Sequence, residues 1–388
     1  MDRVKDLLKD NIRKYGMAIA LVLIMGLFQV LTDGILLKPL NITNLILQNS
    51  YILILAIGML LVIITGNVDL SVGSVVALIG AISAHMMINM NMGVVPVILI
   101  SLLIGALVGA WHGFWIAYVK IPAFIVTLSG MLIFRGLTLV ILKGQTLAPF
   151  EESYRVLSSG FIKDIFGGTG PHITTLAIGI LFSLIYVYFE LRDRKNKKKY
   201  GFAVPSKNIL IGKIAVIIIS VNLLTYSLAV YKGAPNVLIL LALLVLIYSF
   251  IANKTVGGRY IYAIGGNEKA ARLSGIKTDM VLFWVYVNMG LLTALAGIVF
   301  TGRLNAAMPR AGTGFELDAI AACYIGGASA SGGVGTIIGA IVGGLVMGIL
   351  NNGMSILGIG IDWQQAIKGL VLLVAVAFDA YTKAKANK

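Results

Sequence analysis

The residues of this 388-residue chain that could do chemistry are polar side chains embedded in long apolar stretches. Amide and hydroxyl groups hydrogen-bond well to uncharged, hydroxyl-rich solutes. Helices in a membrane use the same groups to bind one another, so either role fits any one residue. The neutral candidates for a polar pathway are Asn49, Thr127, Ser129, Asn288, Asn351 and Asn352.

Two acidic segments interrupt the apolar pattern. In Gly66–Ser74, Asp69 and Ser71 precede an apolar stretch, and their oxygens suit the cap of a helix that begins near Val72. Carboxylates inside a membrane are costly and mark functional sites, so a pathway role is the second interpretation. Glu316 and Asp318 form a similar device in the second half of the chain.

Catalysis is not indicated. His85, His112 and His172 are isolated, without acidic neighbours at metal-ligand spacing, and Cys323 is the single cysteine. The chain contains no phosphate-binding loop with a Gly-Lys-Ser/Thr ending. We therefore expect no catalytic residue, no metal and no cofactor.

The composition predicts the elements that position these residues. The chain is 59% hydrophobic and 12% charged, with a mean hydropathy of +0.95, which excludes a soluble enzyme and a disulfide-stapled secreted domain. The sequence has no basic stripe with interleaved aromatic residues, so nucleic-acid binding is not indicated. We predict an all-α polytopic membrane protein with about 10–12 helices, some short or re-entrant. The predicted spans are 16–31, 42–64, 72–90, 94–118, 123–142, 173–189, 209–231, 235–252, 281–302, 317–331, 334–355 and 363–380.

The basic residues predict an orientation. If the N-terminus is inside and the spans alternate, 22 Lys and Arg fall inside and 7 outside. Basic residues gather in cytoplasmic loops, so both termini are predicted to be cytoplasmic. This outcome requires 317–331 to cross the membrane, although its short length also suits a re-entrant half-helix.

An internal repeat relates the two ends of the chain. The apolar segment ending at Gly66 is similar to that ending at Gly302, and FRGL around Arg135 is similar to IKGL around Lys368. The copies, about 42–142 and 281–380, start on opposite sides, as in inverted-repeat transporters. They flank a hairpin at 173–231 and a loop at 253–280 within one transmembrane domain over 1–388. Each copy has glycines at intervals of four that favour close helix packing: Gly105, Gly109 and Gly113, and Gly335, Gly339 and Gly343.

The loop at 253–280 is the most polar organised segment. Asn267 suits the cap of a short helix with Glu268, Ala271 and Arg272 at helical spacing, ended by Ser274-Gly275. Such a helix can bind a cytosolic partner or lie on lipid headgroups as a connector. The basic turn at 190–208 is predicted to contact acidic lipids.

Four segments carry a family resemblance: DLSVGS at 69–74, IPAFIVTLSGMLIFRG at 121–136, GRYIYAIGGNEKAARLSGI at 258–276 and ELDAIAACYIGGASASGGVG at 316–335. They resemble the permease subunits of ATP-driven (ABC) sugar importers, and the hairpin resembles the xylose and multiple-sugar branch. Ala328, Ser329 and Ala330 depart from the usual Gly-Thr-Ser of that family.

The resemblance implies a subunit of the bacterial plasma membrane that moves a pentose or hexose such as xylose by alternating access. Two permease subunits would form a homodimer, and ATPase subunits would bind the coupling helix with Asn267, Glu268, Ala271, Arg272, Ser274 and Gly275. A sugar-binding protein would land on outer loops 143–172 and 303–316. An ion-coupled secondary sugar carrier is the alternative. The expected pathway residues are Asn49, Asp69, Ser71, Thr127, Ser129, Asn288, Glu316, Asp318, Asn351 and Asn352.

Overall fold

The computed structural model describes residues 2–167, 170–202, 204 and 206–386. Within these ranges, side chains are described from residue 16 to residue 377. The chain is helical almost throughout these residues, and nine helices are long and apolar enough to cross a membrane. This confirms the all-α polytopic fold. The helices are α1 Asp2–Leu31, α2 Pro39–Ile64, α3 Val72–Ala84, α4 Val94–Gly113, α5 Ala123–Leu142, α6 Glu152–Ser159, α7 Ile173–Lys199, α8 Lys207–Tyr231, α9 Asn236–Lys254, α10 Val256–Gly266, α11 Glu268–Leu273, α12 Thr278–Leu304, α13 Phe315–Ile325, α14 Ile337–Ile356 and α15 Ile361–Ala386. One turn of π-helix extends α3 to Asn89 and α4 to Tyr118.

The chain divides into two compact units, and the larger one holds the central core. It contains residues up to Leu36, Leu45–Ser159 and the chain from Val237 onward. Every residue from Ile52 to Ile64 of α2 is buried, as is most of α12 from Val285 to Gly302. A helix that is apolar and buried all round belongs at the centre of a bundle.

The segment predicted as the span 317–331 is a shorter helix in a longer excursion. α13 has 11 residues and a length of about 16 Å, roughly half of a bilayer core. Before it, Ala307 pairs with Leu147; after it, the Gly333 N–H donates to the Ile64 carbonyl. These partners lie towards opposite ends of α12, so 305–336 passes through the bundle with only its middle part helical.

Glycines allow the helices to pack backbone against backbone. A β-carbon on Gly109 of α4 would lie 2.2 Å from the Tyr286 carbonyl oxygen of α12, and one on Gly343 would lie 2.0 Å from that of Ala322. Gly105 and Gly113 also face α12, and Gly339 faces α13. The prediction that Gly335 belongs to the same packing face as Gly339 and Gly343 is wrong, because Gly335 precedes α14 and lies against Leu60 of α2.

The smaller unit consists of Leu37–Asn44 and Gly160–Asn236 and is dominated by the α7–α8 hairpin. Its two helices are joined by an Asn222–Ser183 hydrogen bond of 2.9 Å and a Lys213–Glu190 ion pair of 2.8 Å. Asp164 accepts hydrogen bonds from the Thr174 hydroxyl and from the first N–H groups of α7. These bonds, above all that from the Thr174 hydroxyl, lower the pKa of Asp164 to about 2.

We predict that Gly109→Ala destabilises the protein by about 1–3 kcal/mol, because α4 must move away from the α12 backbone. Gly136→Ala is the matched control, since a β-carbon there meets nothing within 4 Å. Alanine favours a helix by about 1 kcal/mol over glycine, so this control should unfold at the wild-type temperature or above. Thermal unfolding of the purified proteins in one detergent measures both, and equal midpoints would contradict the packing assignment.

Candidate functional site

The first acidic segment is closed on itself. The carboxylate of Asp69 is buried and accepts the Ser71 N–H at 2.8 Å and the Ser71 hydroxyl at 2.6 Å. Ser71 precedes α3 but makes no side-chain cap bond to its first turn. The predicted cap at Asp69 and Ser71 is therefore wrong in form, because Asp69 orders the approach to α3 without accepting from the helix itself.

The two acidic segments contact each other. A β-carbon on Gly73, in the first turn of α3, would lie 2.0 Å from the Gly312 carbonyl oxygen and 2.5 Å from the Glu316 carboxylate. The beginning of α3 thus lies directly against the chain that leads into α13. The sequence paired these segments by similarity, and the structure places them side by side.

Two basic side chains from helix interiors reach the second acidic segment. Arg135 of α5 donates to the Pro309 carbonyl at 3.1 Å and to the Ala311 carbonyl at 2.5 Å. Lys368 of α15 lies 3.1 Å from both carboxylate oxygens of the buried Asp318. The chain on both sides of Phe315 is thereby fixed to the bundle by charge-assisted contacts.

Two cavities open beside α13. The larger, about 510 Å³, lies between α13, α14 and α15 and brings Glu316 and Asp318 together with Gln364, Gln365 and Lys368. The smaller, about 170 Å³, brings Asn49 of α2 together with Asn351 and Asn352 of α14. Five of the ten expected pathway residues therefore line one cavity or the other.

Thr127, Ser129 and Asn288 line neither cavity. The Thr127 hydroxyl is buried and donates to the Ala123 carbonyl of its own helix at 2.9 Å. Ser129 is exposed on the outside of this single chain. Asn288 accepts a hydrogen bond from the Tyr248 hydroxyl, which joins α12 to α9. Contacts within and between helices account for the Thr127 hydroxyl and for the Asn288 oxygen.

The polar loop at 253–280 folds as two helices. Asn267 caps α11 by accepting the Ala270 N–H at 3.0 Å, and Gly275, after the helix, has a φ of +85°. Glu268 and Arg272 are exposed along α11, while Ala271 is 4% exposed and faces the protein. Ala271 therefore packs inward, away from any partner of the outer surface.

α10, which the sequence did not predict, inserts the polar loop into the bundle. A β-carbon on Gly265 would lie 1.6 Å from the Ile64 carbonyl oxygen and 2.5 Å from the Gly333 nitrogen. The Tyr262 hydroxyl also donates to the Gly335 carbonyl at 2.7 Å. The loop therefore contacts the chain just before the first acidic segment and the chain just after α13.

Sequence reasoning missed four exposed or cavity-lining residues. Gln48 and Tyr51 flank Asn49 in the smaller cavity, and Arg303 lines it from α12. The polar run Gln48-Asn49-Ser50-Tyr51 inside an apolar span was the signal for the first two. Leu273 is 89% exposed at the end of α11, and a leucine in a polar loop was its signal.

Comparison with known proteins adds a family. Residues 41–376 match the family described as "branched-chain amino acid transport system / permease component". The chain is 40% identical to the xylose transport system permease protein of Escherichia coli (strain K12), over 96% of this chain and 93% of that protein. It is 37% identical to the ribose import permease protein of Bacillus subtilis (strain 168), over 95% and 92% of the two chains. No solved structure matches significantly.

We predict that Lys368→Met costs on the order of 2 kcal/mol of folding free energy, because it leaves Asp318 buried without its cation. The figure is below that of a fully buried pair, since the Lys368 side chain is 26% exposed. Combining Lys368→Met with Asp318→Asn should recover most of the loss. Thermal unfolding of the two single variants and the double variant forms the cycle, and strictly additive losses would disprove the coupling.

Proposed function

The chain belongs to the transport-system permease family, and we propose that it is the membrane-spanning subunit of an ATP-driven importer of a monosaccharide. Relatives named as xylose and ribose permeases support the substrate class. The smaller cavity supports it as well, because its amide-rich lining suits an uncharged polyol. The chemistry of ATP hydrolysis belongs to partner subunits in this proposal.

One observation carries the proposal: the α10–α11 segment touches the bundle at the two points where its long helices are interrupted. Gly265 lies against Ile64 at the end of α2, and Tyr262 is bonded to Gly335 after α13. Motion of this segment is thereby passed to the chain around both acidic segments. Alternating access then follows as a rigid shift of short helices against the long ones.

α11 presents a surface suited to a cytosolic ATPase. Leu273 is 89% exposed and follows Arg272, whose side chain lies 3.6 Å from the Glu268 carboxylate. Burial of a leucine side chain against a partner is worth about 1.5–3 kcal/mol. We assign Leu273 as the anchor of this interface and Arg272 as the link from α11 to the bundle, because Arg272 binds Asp279 of α12 at 2.7 Å.

The opposite end of α12 offers the surface for an extracytoplasmic sugar-binding protein. In the loop that contains α6, Leu147 pairs with Ala307, and the Phe150 N–H donates to Asn305 at 2.8 Å. The expected landing loops 143–172 and 303–316 are therefore in contact through their parts in the larger unit. The proposal places both termini in the cytoplasm, because basic residues gather in the loops on that side. It also includes a homodimer of this subunit, surrounded by lipid.

An ion-coupled carrier is not favoured. Such a carrier needs an ionisable group inside the membrane that is available to its ion. Asp69 is occupied by Ser71, and Asp318 by Lys368, so Glu316 is the one carboxylate of the two acidic segments without such a partner among the described residues.

We predict that the tagged chain, isolated from native membranes in mild detergent, brings down an ATPase subunit in near-equal amount. Leu273→Asp should reduce the recovered ATPase at least tenfold, because the apolar burial is lost and a charge would be buried in its place. Leu191→Asp, at an exposed leucine of the α7–α8 hairpin, is the matched control and should leave recovery unchanged. A wild-type chain that comes down alone, yet takes up sugar in vesicles without ATP, would instead support the carrier.

We predict that Arg272→Ala separates ATP hydrolysis from transport. The ATPase should remain bound through Leu273, but α11 loses its ion pair with Asp279 and transmits less of its motion to α12. Uptake per ATP hydrolysed in proteoliposomes should fall at least fivefold. Lys269→Ala removes the same charge from the same exposed helix and is the control; equal uptake ratios in the two variants would reject the role of Arg272.

A further inference from the structure

The smaller cavity combines the groups that recognise a sugar ring. We propose that this cavity, between α2, α12 and α14, binds one monosaccharide during transport. Its polar lining is formed by the side chains of Gln48, Asn49, Tyr51, Arg303, Asn351 and Asn352. The inference rests on the proposed function and assigns the place where that function holds its substrate.

The size of the cavity fits a small solute. Its volume of about 170 Å³ has room for a few water-sized groups side by side. A pentose or hexose is a solute of that kind, whereas a disaccharide would extend out of the cavity. The larger cavity, about 510 Å³, contains the Lys368–Asp318 ion pair and lacks this fit to one neutral ring.

The lining supplies both donors and acceptors. Asn351 carries a buried side-chain oxygen that has no hydrogen-bond partner among the described residues. A buried acceptor without a donor is costly, and a small rotation of this amide towards the cavity would let a sugar hydroxyl satisfy it. The Arg303 guanidinium can only donate hydrogen bonds, whereas the amides of Gln48 and Asn49 each carry a donor and an acceptor. A sugar hydroxyl therefore finds a partner whether it donates or accepts.

An aromatic side chain completes the lining. Tyr51 stacks on Phe315, the first residue of α13, with ring centroids 4.4 Å apart, and meets Phe300 edge to face at 4.9 Å. This packing holds the Tyr51 ring in place and leaves it as a wall of the cavity. Because Phe315 belongs to α13, a displacement of α13 changes the shape of the sugar site.

A glycine sets the position of the Asn49 amide. A β-carbon on Gly348 of α14 would lie 2.5 Å from the amide carbon of Asn49. Gly348→Ala therefore displaces the side chain of Asn49, which is proposed to bind the sugar, without removing any polar group from the cavity. Gly212→Ala on α8 is the matched control, since a β-carbon there has no neighbour within 4 Å.

The test uses a thiol placed in the cavity. Cys323, the single native cysteine, is fully buried, so Ser355→Cys supplies one reactive thiol in the lining. In the permease–ATPase complex in nanodiscs, saturating D-xylose or D-ribose should slow its modification by a methanethiosulfonate at least fivefold. Gln365→Cys, in the larger cavity, should react within twofold of its sugar-free rate. Protection of Gln365→Cys alone, or of neither thiol, would overturn the assignment.

Uptake measurements separate this site from the proposed function. With the complete importer in proteoliposomes, Gly348→Ala should lower xylose or ribose uptake at least tenfold, and Gly212→Ala should match wild type. Wild-type uptake with no effect of Gly348→Ala and no thiol protection would reject the cavity and leave the importer proposal standing. Absence of ATP-dependent sugar uptake by the wild-type importer would instead reject the proposed function.

Discussion

The contact between Gly73 and Gly312 is the constraint on which the rest of the structure depends. It brings the beginning of α3 against the chain that enters α13, so two irregular segments meet inside the bundle. A bilayer offers no water to a broken backbone, and such segments persist only where protein covers them. The buried lengths of α2 and α12 provide that cover. Glycine at both positions is required, because a β-carbon at either would lie 2.0 Å from the carbonyl oxygen of the other.

The charged side chains near this contact stabilise the interrupted chain. Asp69 satisfies the Ser71 N–H before α3, and Arg135 satisfies carbonyls of Pro309 and Ala311 before α13. Asp318 lies in the first turn of α13, where a carboxylate is favoured by the helix dipole, and Lys368 neutralises it. Carboxylates that suggested an ion pathway from sequence alone are therefore used largely to hold backbone that has left its helix. The groups proposed to contact a solute are instead the amides of the smaller cavity together with Tyr51 and Arg303.

The sequence predicted most of the helices, but not which of their polar residues hold the fold and which line a cavity. Apolar length alone located the long spans, and α5 has the bounds expected for it, 123–142. Apolar length could not show that the segment 305–336 passes through the bundle with only 11 helical residues. The non-helical parts of that segment are held by hydrogen bonds to residues distant in sequence, such as Leu147 and Ile64. α6 and α10 were missed since each is short and owes its place to neighbours such as Thr301 and Ile64. Among the site residues, Asn49, Asn351 and Asn352 are predicted from the sequence as polar positions within apolar spans, whereas Arg303 falls at the start of the predicted outer loop 303–316 and outside the expected pathway. Which residues share a cavity depends on the crossing of α2, α12 and α14, and no local pattern encodes that.

α13 is the element through which the two ends of the proposed mechanism are joined. The chain after its last turn is bonded to Tyr262 of α10 through Gly335, and its first residue, Phe315, stacks on Tyr51 in the smaller cavity. A helix of 11 residues is a rigid body about 16 Å long, so a displacement that the stretch 326–335 passes to Ile325 also moves Phe315. The Lys368–Asp318 pair restrains that displacement, because moving α13 away from α15 would separate a charge pair in a poorly solvated place. A short helix can thus carry motion from the proposed ATPase-facing segment to the proposed sugar site while the long helices around it stay packed on their glycines.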